Sequence, residues 1–156
     1  MNMLHHISIG VSDIIKSGAF YDAILEPLGY KRVFEDLRLG ETHQAIGYGI
    51  TPNEDIFTIK ERNSISLAPG PGFHLAFSAP SSEAVNSWHN RGIEMGAISK
   101  GEPKIWTEFG PNYFAAYLID HDGYQIEAVH KKSLNWVFSL TMFPLLPQNA
   151  LLMFGC

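Results

Sequence analysis

The chain has 156 residues, enough for one domain that buries a full hydrophobic core without disulfide or metal staples. Hydrophobic residues make up 46% and charged residues 17%, the balance of a soluble globular protein. The formal net charge of −5, with basic residues scattered, disfavours a nucleic-acid partner, because phosphate binding needs clustered Lys and Arg.

The single cysteine, Cys156, forms no internal disulfide, and the N-terminus lacks the basic-then-apolar pattern of a secretory leader. A cytoplasmic setting is the expectation. In chain order, "LHHISIGV" (Leu4–Val11) reads as a strand, with β-type residues and no helical period. Ser12-Asp13 is a helix cap, and Ile14, Phe20, Tyr21, Ile24, Leu25 and Leu28 form one apolar helical face that ends at Gly29. Strands are expected at about Tyr30–Glu35, His43–Ile50 and Asp55–Glu61, separated by turn residues around Gly40 and by Thr51-Pro52-Asn53.

After the turn-rich stretch Glu61–Gly72, the pattern restarts. Phe73–Ala79 reads as a strand, and Pro80-Ser81-Ser82 opens a helix carrying Ala84, Val85 and Trp88. A short strand is expected at about Met95–Ser99, then strong strands at Asn112–Asp120 and Tyr124–His130, joined by the turn "DHDG". The chain therefore reads as α+β, with two βαβββ modules at about residues 4–61 and 72–130.

Neighbouring strand residues point to opposite faces, so alternation separates candidate site residues from core. His6, Ser8 and Gly10 share one face, while His5, Ile7, Ile9 and Val11 share the helix-packed one. In the second module His74, Ala76 and Ser78 share the open face, and Leu75 and Phe77 pack. Glu127 is a carboxylate within an apolar strand, costly to bury unless it binds a metal or is paired, with Lys131 and Arg32 as candidate partners. Two imidazoles and a carboxylate form a set that suits Fe(II) and accommodates Mn, Zn or Ni, leaving positions open for substrate.

The opening "HHISIGVSDIIKSGAFYDAILEPLGY", the strand "GFHLAFSA" and the stretch "LIDHDGYQIEAV" together resemble the vicinal oxygen chelate superfamily, which includes glyoxalase I, extradiol dioxygenases, and fosfomycin- and bleomycin-resistance proteins. His121 stands where that family's D-P-D-G turn has proline. The resemblance covers about residues 3–130. It implies two βαβββ modules forming a cupped mixed β-sheet with helices outside. It also implies a divalent metal held by His6, His74 and Glu127, with Glu127 also a catalytic candidate, and a homodimer. A fourth ligand, as in glyoxalase I, would fall near Glu61, with Ile59 or Lys60 as alternatives for the position.

Tyr48, Trp106 and Tyr113 are the candidate substrate-binding residues, Trp106 because it stands in the Gly/Pro-bounded stretch "GEPKIWTEFGPN". Residues 1–132 are expected to form the domain. The remainder, 133–156, is uncharged and apolar but interrupted by Pro144, Pro147, Gln148 and Asn149, which favours packing on the protein's own surface or on a partner over a membrane anchor. The expected activity is that of a metal-dependent lyase, isomerase or dioxygenase acting on a small oxygen-bearing substrate. The rival is a non-catalytic protein that sequesters a small molecule in the same cup.

Overall fold

The structure is a computed structural model that describes residues 4–38, 40–62 and 67–131. The apolar extension therefore lies outside the described residues. The first module runs β1 (Ile7–Val11), α1 (Ile14–Leu25), β2 (Lys31–Asp36), β3 (Ala45–Gly49) and β4 (Phe57–Glu61). The second runs β5 (Leu75–Ser78), α2 (Ser82–Glu94), β6 (Ile98–Ile105), β7 (Tyr113–Ile119) and β8 (Gln125–Lys131). The α+β class and the two βαβββ modules are as the sequence indicates.

Local chemistry explains the helix limits. The Asp13 side chain accepts hydrogen bonds from the backbone N–H of Ile15 and Lys16 at 3.0 and 2.9 Å, satisfying two donors that a helix start leaves orphaned. After a short 3-10 turn at Glu26–Leu28, Gly29 takes φ 87°, a left-handed conformation that costs glycine little. Ser81 caps α2 in the same way, accepting from Ala84 N–H at 3.2 Å.

The sheets have orders β1-β4-β3-β2 and β5-β8-β7-β6. In each, the first strand pairs parallel to the last, and the other pairs are antiparallel. Helix α1 packs on β2, β3 and β4, α2 packs on β6, β7 and β8, and the helices pack on each other. The core they enclose includes Phe20, Tyr21, Ile24, Ile59, Trp88, Leu118 and Ile126, all fully buried. Each such side chain contributes about 1.5–3 kcal/mol by leaving water.

The "DHDG" turn fastens the modules together. Asp120 Oδ1 accepts from the backbone N–H of Asp122 and Tyr124, and the buried Tyr21 hydroxyl donates to Oδ2 at 2.6 Å. Asp122 in turn accepts from Ser12 N–H ahead of α1. Burial pushes the Asp120 carboxyl above its ordinary 3.8, against these hydrogen bonds, which pull it down.

Strand β6 is the main departure from expectation. It continues through Ile105, well past Ser99, with register shifts between Ser99 and Lys104 that let a Gly- and Pro-containing segment stay in the ladder. Trp106 thus follows directly on a strand instead of standing in an open loop. Among the described residues, no helix is long and apolar enough to cross a membrane.

Candidate functional site

Sheet register brings the second module's polar groups together. Ala76 stands opposite Glu127 across the parallel β5–β8 pair, and Tyr117 stands opposite Glu127 across β7–β8. His74 precedes Ala76 by two residues on the open face. Its Nε2 lies 3.4 Å from Glu127 Oε2. The other carboxylate oxygen, Oε1, accepts from the Tyr113 hydroxyl at 2.6 Å.

Glu127 has 1% of its side chain exposed and His74 has 53%, so the carboxylate forms the floor and the imidazole the mouth. Arg32, a candidate partner for Glu127, is instead paired to Asp22 and Glu35. Burial and then the Glu127 hydrogen bond push the Tyr113 phenol up to about 12, so it stays protonated at neutral pH and donates to the carboxylate. Burial and the Glu127 charge raise the Tyr117 phenol as well.

These groups open into a cavity of about 530 Å³, within the range of small-molecule sites. Trp106 is fixed as one wall. Its indole N–H donates to Ala115 O at 2.9 Å, and its ring meets Tyr117 edge-on at 5.0 Å. Lys104 Nζ caps the ring at 4.2 Å from its centroid. Gly101 makes this possible, because a Cβ there would stand 2.6 Å from Trp106 Cζ2.

The predicted residues therefore divide. His74, Glu127, Tyr113 and Trp106 line one cavity. Tyr48 does not, because it faces the core, fully buried, with its hydroxyl donating to Gly18 O. His6 forms no three-residue cluster with His74 and Glu127. The first strand begins at Ile7, so His5 and His6 both precede it, and His5 is exposed instead of packing on the helix side as alternation predicts; its Nδ1 lies 3.0 Å from His6 Nδ1. Among the described residues no three His, Cys, Asp or Glu side chains converge as a metal site would require.

Glu61 stands opposite Val11 and accepts from Gln44 Nε2. The first-module position that matches Glu127 is Thr58, opposite Ser8. Thr58 is buried and donates to Asp55 Oδ2 at 2.6 Å.

Lys100, Phe109, Tyr117 and Gln125 also line the cavity. Gln125 and Tyr117 were within reach of alternation from Glu127 and Tyr113. Lys100 and Phe109 were not, because the register shifts in β6 break the period of two and Phe109 lies in a 3-10 turn at Thr107–Phe109.

The sequence matches no family model and no curated protein. Solved structures do match. A glyoxalase/bleomycin resistance protein from Albidiferax ferrireducens T118 is 28% identical with TM-score 0.66, over 84% of this chain and 100% of that one. A glyoxylase/bleomycin resistance protein/dioxygenase domain from Frankia sp. EAN1pec is 21% identical with TM-score 0.63, over 85% of this chain and 99% of that one. The genomically encoded fosfomycin resistance protein FosX from Listeria monocytogenes, complexed with Mn(II) and sulfate ion, is 20% identical with TM-score 0.59, over 86% of this chain and 95% of that one. The paired βαβββ modules and these likenesses together give the chain the glyoxalase/bleomycin resistance/dioxygenase fold and bear out its resemblance to the vicinal oxygen chelate superfamily.

Proposed function

We propose that the cavity at His74 and Glu127 binds a small oxygen-bearing organic molecule at a divalent metal ion, for lyase, isomerase or dioxygenase chemistry. The observation that carries this reading is a buried carboxylate facing an imidazole at 3.4 Å on the floor of an aromatic cavity. Burying a carboxylate costs several kcal/mol; the Tyr113 hydrogen bond offsets part of that, and a cation between the carboxylate and the imidazole would offset more. An N and an O donor in this arrangement fit Fe, Mn, Zn or Ni. When bound, such an ion would act as a Lewis acid toward a substrate oxygen.

The protein's own groups have distinct parts. Tyr113 holds Glu127 Oε1 by its hydroxyl and leaves Oε2 toward His74. Glu127 is the proposed proton-transfer group, being the one carboxylate among the described residues lining the cavity. Trp106 and Tyr117 limit water on one side.

His6 is the proposed third ligand, supplied by a second copy of the chain. Strands β1 and β5 are edge strands of their sheets, and an open edge is a template for pairing. Pairing β1 of one copy beside β5 of another would carry a His6 toward His74 and Glu127. A reducing, cytoplasmic homodimer is part of this reading.

The test is complementation. His6→Ala and Glu127→Ala should each lose metal, measured by elemental analysis after reconstitution. Co-refolded, random mixing makes half the dimers mixed, each with one intact site, so metal returns to about a quarter of wild-type stoichiometry. Wild type that takes up no metal would overturn the enzyme reading in favour of a sequestering protein. No recovery in the mixture would overturn the shared site.

A further inference from the structure

We infer that the ligand of this cavity is a flat aromatic molecule bearing a single acidic group, with its ring between the Trp106–Tyr117 and Phe109–Tyr113 pairs and its acid toward Lys100. The inference rests on the reading of this cavity as the small-molecule site and names the class of molecule it takes. Four of the eight side chains lining the cavity are aromatic. They come as two pairs. Trp106 meets Tyr117 at an interplanar angle of 88° and 5.0 Å, and Phe109 meets Tyr113 at 52° and 5.3 Å. Aromatic rings gain from edge-to-face and offset contact, so two such pairs favour a third flat ring over a compact polar ligand.

The wall is preorganised. Trp106 is held by the Ala115 carbonyl, by the close approach to Gly101 and by Lys104, so little ordering cost remains when a ring arrives. Phe109 is 58% exposed at the rim, an apolar surface that a ligand would cover.

The charge pattern is equally specific. Lys100 is the one Lys or Arg among the described lining residues, in a protein whose net charge is −5. In the metal-free protein, one cation beside the Glu127 carboxylate accommodates one anionic group, while a doubly charged phosphonate is opposed by that carboxylate. A cavity of about 530 Å³ holds a two-ring acid with space to spare.

The test is calorimetric titration of the full chain, with and without Mn(II), using three probes: 2-naphthoate, 2-naphthalenemethanol and methylphosphonate. The expected order is naphthoate first, the alcohol about fivefold weaker and methylphosphonate weakest. Lys100→Gln should abolish the difference between the two naphthalene probes. Phe109→Ala, at an exposed position that folding does not need, and Trp106→Ala should each weaken both by about tenfold.

Methylphosphonate binding the metal-free protein as tightly as naphthoate would overturn the inference. So would unchanged naphthalene affinities in both aromatic variants. If metal is absent but this order and these losses appear, the metal reading falls and this one stands. If metal is held at His74 and Glu127 but the order is lost, this inference falls alone.

Discussion

The two modules share one plan but place different chemistry on it. In both, the first strand lies parallel to the last, a histidine precedes the first strand, and a capped helix follows. Yet Thr58 holds the first-module position that Glu127 holds in the second, and Gly47 holds that of Tyr117. The first module thus keeps a histidine and small residues on its open face, while the second carries the carboxylate and the aromatic walls. A repeated fold needs only its core positions repeated. Its open faces are free to diverge, and here the second carries the cavity.

The turns before the last strands diverge in the same way. Asp120 is 7% exposed and tied to Tyr21 of the other module. In the first module the matching turn, Thr51-Pro52-Asn53, follows Ile50, which is 67% exposed. One turn joins the modules and the other faces solvent.

The largest expected effect tests the asymmetry of the open faces. Glu127→Ala should weaken metal binding by about 100-fold or more, measured by competition with a chelating dye, because the proposed carboxylate ligand is removed. Thr58→Ala, at the matching position, should leave metal affinity unchanged. Equal losses would mean that the first module also contributes at Thr58, as a fourth ligand position would.

Next in size is the turn that joins the modules. Asp120→Ala leaves the Tyr21 hydroxyl and two backbone N–H groups without their acceptor, and should cost about 2–4 kcal/mol in urea unfolding. Asp120 also gives a pH signature. Its folded-state pKa lies above the ordinary 3.8, so its contribution is fully present below that value and is lost as pH rises through the folded value. The stability of wild type relative to Asp120→Asn should therefore fall as pH rises above about 3.8. A difference that stays flat with pH would show that the carboxyl is not raised.

The smallest effect belongs to the solvent-facing turn. Ile50→Ser should change stability by less than about 0.5 kcal/mol in the same urea assay. A loss comparable to that of Asp120→Ala would show that this turn is covered after all.

The sequence by itself determined the order of elements and the helix starts. Asp13, Ser81 and Gly29 act within a few residues of their own position, and strand alternation is a property of the backbone alone. That local logic was enough to mark Glu127 as anomalous in an apolar strand. It did not extend to His5 and His6, which precede β1 and bring their Nδ1 atoms within 3.0 Å of each other. It could not tell which aromatics would line the cavity. Tyr48 and Tyr113 both sit in strands expected to wall a cup, but one packs into the core and the other reaches Glu127. The tertiary structure decided that, through strand pairings between residues as far apart as Ala76 and Glu127 and through the register shifts in β6. Such pairings depend on closing long loops, and between strands not joined by a tight turn the register is settled only when their apolar faces meet in the core. Whether His74 meets a carboxylate, and whether Trp106 becomes a wall, follows from where distant strands align.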